Sequence, residues 1–185
     1  MFKEDNHLTI ITGQPANGKT TVGRLLQESF GFVCIEGDDF ITPIGKTRLN
    51  NGSWNDTDRK VYLSRMAASA VEIKQDNPDV VVVDCLTTRW MREFLVTQIH
   101  AINHSLAVGF ILIDRQLTSE NITQIAALRR AQGHALDVDA LVRFRQAFEP
   151  WDPKLPCVSF TNPGDGNIHQ LLMLAQIAIT KLWSP

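Results

Sequence analysis

Cysteine is scarce in this chain and odd in number: Cys34, Cys85 and Cys157 stand far apart, mostly within apolar runs. That spacing argues against a disulfide framework or a zinc site and suits buried thiols in a reducing compartment. Long apolar runs are missing as well, so no segment reaches the length needed to cross a bilayer. The opening stretch, Met1 to His7, is polar and acidic where a secretory signal would be basic and then apolar. The expectation is a cytoplasmic protein without a membrane partner. Net charge is nearly absent too. The 18 basic and 20 acidic side chains leave −2, without the basic footprint that duplex nucleic acid or an anionic membrane requires. Repeats, low-complexity tracts and linkers are also lacking. What is present is a chain of 185 residues, 44% hydrophobic, enough for one sizeable core and short for two. A single domain over 1–185 is predicted; monomer and homodimer are both open.

Short apolar, β-branched runs at 8–12, 32–35, 80–84, 107–114 and 156–160 read as buried strands. Helical spacing fills 19–30, 59–75, 90–103, 119–132, 137–148 and 167–182. Strands alternating with helices imply a three-layer α/β fold, a parallel sheet with helices on both faces. Two stretches break the alternation. Residues 41–59, rich in Gly, Asn, Thr and Asp, read as a long irregular excursion of the kind usually kept for function. Residues 119–150 hold two helical patterns joined through Gln132-Gly133-His134 and are predicted to form a lid.

Gly13-Gln14-Pro15-Ala16-Asn17-Gly18-Lys19-Thr20 matches G-x-x-x-x-G-K-[ST], follows a predicted strand and opens a predicted helix, with Thr21 next in that helix. The loop's backbone N–H groups form an anion nest, Gly13 and Gly18 supply backbone freedom, and the helix N-terminus adds partial positive charge. Lys19 is placed to reach the β- and γ-phosphates of a nucleoside triphosphate, and Thr20 to ligate Mg²⁺. No Asn-Lys-x-Asp base-reading motif accompanies the loop, and the chain is small for a motor or helicase core. ATP with Mg²⁺, serving a small-molecule kinase, is the reading that remains.

The second predicted strand runs into Glu36-Gly37-Asp38-Asp39, at the carboxyl edge where α/β sheets bind ligands. Asp38 is the candidate base for an acceptor hydroxyl, and Glu36 a candidate for Mg²⁺, through water; the alternative is an acidic turn that caps the next segment. Asp84 closes the Val80-Val81-Val82-Val83 run and is open to two readings, a metal acid beside the loop or a cap for the helix near Trp90.

Together these residues resemble the gluconate kinases, relatives of shikimate kinase among the small P-loop kinases. The resemblance is carried by the loop, Glu36-Gly37-Asp38-Asp39, and Asp56-Thr57-Asp58-Arg59 with Tyr62-Leu63, similar to that family's D-x-D-R-x-P-W-L. Arg129-Arg130 ahead of Gly133-His134 and Phe148-Glu149-Pro150 are similar to its R-x-G-H-F lid and L-E-P ending. It implies a five-stranded sheet of order 2-3-1-4-5, a lid whose arginines close on ATP, and phosphorylation of a small polyol acid. It further implies that Asp38 meets the accepting hydroxyl, that Arg59 organises the substrate side, and that Asn162-Pro163 lie where the adenine is held. The chain departs from that pattern in several places. Lys46-Thr47-Arg48 replaces an N-x-x-K-M run, Asp84-Cys85-Leu86-Thr87-Thr88 replaces C-S-A-L-K, and Arg143-Phe144-Arg145 replaces S-Q-F.

Other cations and rings carry two readings each. Arg129 and Arg130 act either as lid arginines on the transferring phosphoryl or as charges complementing a helix C-terminus. Arg59 meets an acceptor carboxylate or pairs with Asp56. Lys46, Arg48, Arg89 and Arg92 bind an anionic acceptor or are solvated surface charges. His134 is a substrate contact or structural, and Trp54 stacks on a sugar face or packs the excursion. The reading that results is γ-phosphoryl transfer from ATP to a small alcohol. Gluconate or a related sugar acid leads, shikimate or another small hydroxylated metabolite follows, and a nucleotide-binding regulatory module without transfer is the alternative of another class.

Overall fold

Four consecutive valines, Val80–Val83, are all buried, which only a strand covered on both faces allows. They form β3 of the computed structural model, which describes residues 6–131 and 138–184. The other strands are β1 (His7–Thr12), β2 (Val33–Glu36), β4 (Ala107–Asp114) and β5 (Cys157–Thr161). All pair in parallel, in the order β2-β3-β1-β4-β5, with Thr9 opposite Val81 and Gly109, and Glu36 opposite Val83. The fold class and strand order read from the sequence are those found.

Seven α-helices are described, α1 (Lys19–Phe30), α2 (Pro43–Asn50), α3 (Asp56–Asp76), α4 (Arg89–Ile102), α5 (Ser119–Ala131), α6 (Val138–Gln146) and α7 (Ile168–Trp183), with a short 3-10 helix at Gly37–Phe40. The strand period of two splits the core between the two faces. Ile10, Val80, Val82 and Phe110 pack with Leu63 and Met66 of α3 and Leu95 and Ile99 of α4. Ile11, Val81, Val83 and Ile113 pack with Val22 and Leu26 of α1 and Leu171 and Ala175 of α7. None of the described helices is long and apolar enough to cross a membrane. The three cysteines are partly buried and none is in a disulfide among the described residues. Burial pushes the Cys34 and Cys157 thiols up to about 11.

The excursion at 41–59 corrects the sequence reading. It contains a helix, α2, started by a Thr42 cap that accepts from the Gly45 N–H at 3.0 Å and by Pro43 in the first turn. α3 begins at Asp56, ahead of the predicted 59, because Asn55 caps it by accepting from Thr57 and Asp58 N–H while Asp58 reaches back to the Asn55 N–H. Arg48 then pairs with Asp58 at 2.6 Å and ties α2 to that cap.

Arg92 is a second correction. Read as a surface or acceptor-binding cation, it is fully buried in α4, its guanidinium held between the rings of Phe148 (5.3 Å) and Trp151 (4.9 Å). It donates to the carbonyls of Thr88 (3.2 Å) and Glu149 (2.9 Å), and so fastens the segment after α6 to the sheet's α4 face. Arg92→Ala takes the side-chain donor from the Glu149 carbonyl, leaves Thr88 O with the residue-92 backbone N–H alone, and opens a void beside two rings. The expected loss is about 2–4 kcal/mol of stability, read from denaturant midpoints; a change below about 0.5 kcal/mol would contradict this role.

Candidate functional site

The strand order sets β2, β3 and β1 side by side, so whatever follows their carboxyl ends meets in one place. The phosphate-type loop after β1 is the centre of that place. Gly13 has φ 144°, and an added Cβ would lie 2.2 Å from the Ile113 carbonyl oxygen; Gly18 has φ 92°, and one would lie 2.5 Å from the Asn162 amide. An anion nest that points N–H groups at its ligand turns its carbonyls toward the protein, where each needs a donor. The donors are present. Cys85 Sγ donates to Gly13 O (3.2 Å), Lys19 Nζ to Gln14 O (2.9 Å), Arg145 Nη1 to Pro15 O (2.7 Å) and Asn162 Nδ2 to Asn17 O (2.9 Å). Buried Asn17 adds Nδ2 to Ile113 O at 2.8 Å. Ala16 takes φ 68°, a strained position for a residue with a side chain.

The acids gather beside the loop. Thr20 Oγ1 donates to Glu36 Oε2 at 3.1 Å, while Glu36 Oε1 is buried with no hydrogen-bond partner among the described residues. Burial raises the Glu36 carboxyl above its ordinary range, opposed by the Thr20 hydrogen bond and reinforced by Asp38. Asp84 is buried just past β3, accepts the Leu86 N–H at 2.9 Å, and is held by the hydroxyl of Tyr62, the one tyrosine of the chain. Desolvation lifts its carboxyl to about 7 against the pull of that N–H and of Lys19. Gly37 makes room for it, since a Cβ there would overlap Asp84 Oδ2. An orphaned carboxylate oxygen, a hydroxyl and a buried acid form a hard oxygen donor set. That set fits Mg²⁺, which takes one or two carboxylates and completes its shell with phosphate and water. No cage of three or more His, Cys, Asp or Glu is formed among the described residues.

A cavity of about 420 Å³ joins these groups to the α2–α3 region. Loop residues from Pro15 to Thr21, except Asn17, line it together with Asp38, Arg59 and Thr87 and with Ile41, Leu49, Trp54, Leu86 and Met91. Arg24 and Arg115 also line it, and Ile125 of α5 and Phe144 of α6 flank it. Arg59 lines the cavity and pairs with Asp56 at 2.9 Å, the ion pair of the second sequence reading. Trp54 lines the cavity and meets Tyr62 edge-on, 6.2 Å between ring centres.

Several candidates stand elsewhere. Lys46 is exposed on α2 and does not line the cavity, because that face of the helix turns to solvent. Arg89 is drawn away to Asp152 at 3.4 Å. Asn162 has both ends of its amide committed, to Asn17 O and to the Gly164 N–H at 3.0 Å, and so braces the loop from behind; Pro163 follows it in the same turn. Arg129 and Arg130 lie in the last turn of α5, their side chains outside the described residues, as is His134 entirely. The sequence reading missed Arg115, Arg145 and Cys85 as neighbours of the loop. Arg145 had one signal, a cation where the resembled pattern has S-Q-F.

A family model described as an AAA domain matches residues 8–151. The chain belongs to that family. Among curated proteins, this AAA-domain chain is similar to a probable gluconokinase of Dictyostelium discoideum, 28% identical over 123 residues, 65% of this chain and 62% of that one. It is also similar to a probable gluconokinase of Schizosaccharomyces pombe, 31% identical over 81 residues, 43% of this chain and 42% of that one. These matches span less than two thirds of either relative. Among solved structures, a gluconokinase from Sinorhizobium meliloti 1021 aligns with a TM-score of 0.69 at 18% identity, covering 96% of this chain and 93% of that one, which shows a shared fold.

Asp84 links the site to stability. With the folded carboxyl at about 7 and the ordinary value at 3.8, the folded state holds the proton more tightly across that interval. Stability from this group is therefore full below the lower value and is lost as pH rises through the upper one. Asp84→Asn, measured without nucleotide, is expected to flatten the decline of Tm between about pH 4 and pH 7. An unchanged slope would show that Asp84 is not the group responsible.

Proposed function

We propose that this chain is an ATP-dependent kinase that moves the γ-phosphoryl group onto a hydroxyl of a small organic acid, with gluconate or a related sugar acid as the leading acceptor. The carrying observation is one cavity lined together by Lys19 and Thr20 of the loop, the acids Glu36, Asp38 and Asp84, and Arg59. The similarity to gluconokinases supports the acceptor class. In this reading the loop's N–H groups cradle the phosphates and Lys19 neutralises charge on the β- and γ-groups. Thr20 and Glu36, with Asp84 behind them, would hold Mg²⁺, which when bound neutralises charge on the β- and γ-phosphate oxygens. Asp38, exposed at the cavity, orients the acceptor hydroxyl and accepts its proton, and Arg59 offers a two-pronged donor to the acceptor carboxylate. Arg129 or Arg130 is assigned the charge that develops on the transferring group.

A second reading keeps the reaction and changes the acceptor to a cyclic, less hydroxylated acid such as shikimate. Ile41, Leu49, Leu86 and Met91 offer no side-chain hydrogen bonds, and the Tyr62 hydroxyl is spent on Asp84. Each hydroxyl of an open-chain polyol left unpaired against that wall costs about 1–3 kcal/mol.

The test is incubation with γ-labelled ATP, Mg²⁺ and a panel of gluconate, other sugar acids, polyols, shikimate and nucleosides. Acceptor-dependent transfer is expected, and the preferred acceptor decides between the two readings. Tight ATP binding with no transfer to any of them would instead favour a regulatory nucleotide module. Asp38→Asn is expected to lower kcat by about 10²-fold or more, since an amide cannot take the proton. Arg129→Ala or Arg130→Ala should lower kcat more than ATP affinity, and equal small effects in both would remove the transition-state assignment.

A further inference from the structure

We infer that Arg145 is a positioning residue for the phosphate loop, making the ATP-receiving form of that loop depend on the two ends of the α5–α6 arm. Its guanidinium lies behind the loop and serves three acceptors from two segments. Nη1 donates to Pro15 O and to Asn17 Oδ1, both at 2.7 Å, and Nη2 donates to the carbonyl of Arg115 at 3.1 Å. The contact is reciprocal, because Gln14 Nε2 donates to the Arg145 carbonyl at 3.0 Å. Arg115 stands just before α5, and Arg145 lies in the last turn of α6. One side chain therefore fastens the entry and the exit of the arm to the outer surface of the loop.

The chemistry calls for an arginine. Pro15 has no N–H, and its carbonyl belongs to the set that the anion nest turns outward. Asn17 spends its amide nitrogen on Ile113 O, so its amide oxygen needs a donor from elsewhere. A planar fork reaches these two acceptors and the Arg115 carbonyl together, whereas an ammonium group is a point donor on a flexible stem. Burial lowers the Arg145 pKa below its ordinary value and Asp114 opposes that, yet a guanidinium keeps its charge. A fixed cation thus stands behind the nest that faces the phosphates. Arg145 touches no reacting atom in this arrangement and acts through Pro15 and Asn17.

The inference rests on the reading of the loop as a triphosphate site, and the test separates the two. The full chain, with ATP and Mg²⁺ as the probe, is titrated calorimetrically alongside Arg145→Ala, Arg145→Lys, Asn17→Ala and the Arg145→Ala/Asn17→Ala pair, with Tm recorded for each. Arg145→Ala is expected to weaken ATP binding about tenfold, and Arg145→Lys to recover less than half of that loss in free energy. In the Asn17→Ala background, removing Arg145 should cost no more than about threefold, because part of its target is already gone. Wild-type affinity in both single Arg145 variants, full recovery by lysine, or equal losses with and without Asn17 would overturn the inference. A wild-type chain that binds no ATP would sink the loop reading itself. Should Arg145→Ala fail to fold, Arg145→Lys and its own pair with Asn17→Ala decide, by the same comparison of losses.

Discussion

Turning a run of backbone N–H groups toward a phosphate leaves the same run of carbonyls facing the protein, and a carbonyl buried without a donor costs as much as a lost hydrogen bond. The loop between β1 and α1 meets this constraint four times, with donors from Cys85, Lys19, Arg145 and Asn162. Those donors come from the segment after β3, the loop's own helix, the end of α6 and the turn after β5. The surrounding elements are thereby committed to positions at the sheet's carboxyl edge. Only glycine at 13 lets the loop pass the Ile113 carbonyl, and only glycine at 18 lets Asn162 reach it.

The acids in front of the loop obey a related rule. Glu36 and Asp84 are taken out of water by the packing of the strand ends, and burial raises both carboxyls. An acid in that state gains by meeting a cation, and Glu36 Oε1, beside the Thr20 hydroxyl, has no hydrogen-bond partner among the described residues. Asp38, two residues past Glu36, sits at the open end of the same cavity. The two roles proposed for neighbouring acids, metal holder and proton acceptor, thus separate by burial.

Much of this was legible in residue order. The alternation of apolar runs with helical spacing located every strand to within a residue or two, because burial on both faces leaves near-continuous β-branched runs that few other structures tolerate. The loop was legible because its chemistry needs glycines, a lysine and a hydroxyl at fixed offsets. The 41–59 segment was not, since its Asn and Gly suggest coil while its helix starts rest on the Thr42 and Asn55 caps, whose effect depends on neighbours. Cations were the least legible group. Arg92 and Arg89 read alike as charges and Arg145 only as a departure from a pattern, yet the first is buried against two rings, the second pairs with Asp152 and the third donates to the loop.

The sequence alone determined the layered α/β class, the phosphate loop and the acids at the ends of β2 and β3, because each follows from local periodicity or from a motif whose spacing is the chemistry. Tertiary structure decided which distant residues meet that loop. Asn162 and Arg145 lie far along the chain from Asn17, and no local pattern encodes a pairing that exists only once parallel strands set β4 beside β1 and β5 beside β4. It also decided the lining of the proposed acceptor side, where Ile41, Leu49, Leu86 and Met91 come from four segments and meet at one cavity only in the folded chain.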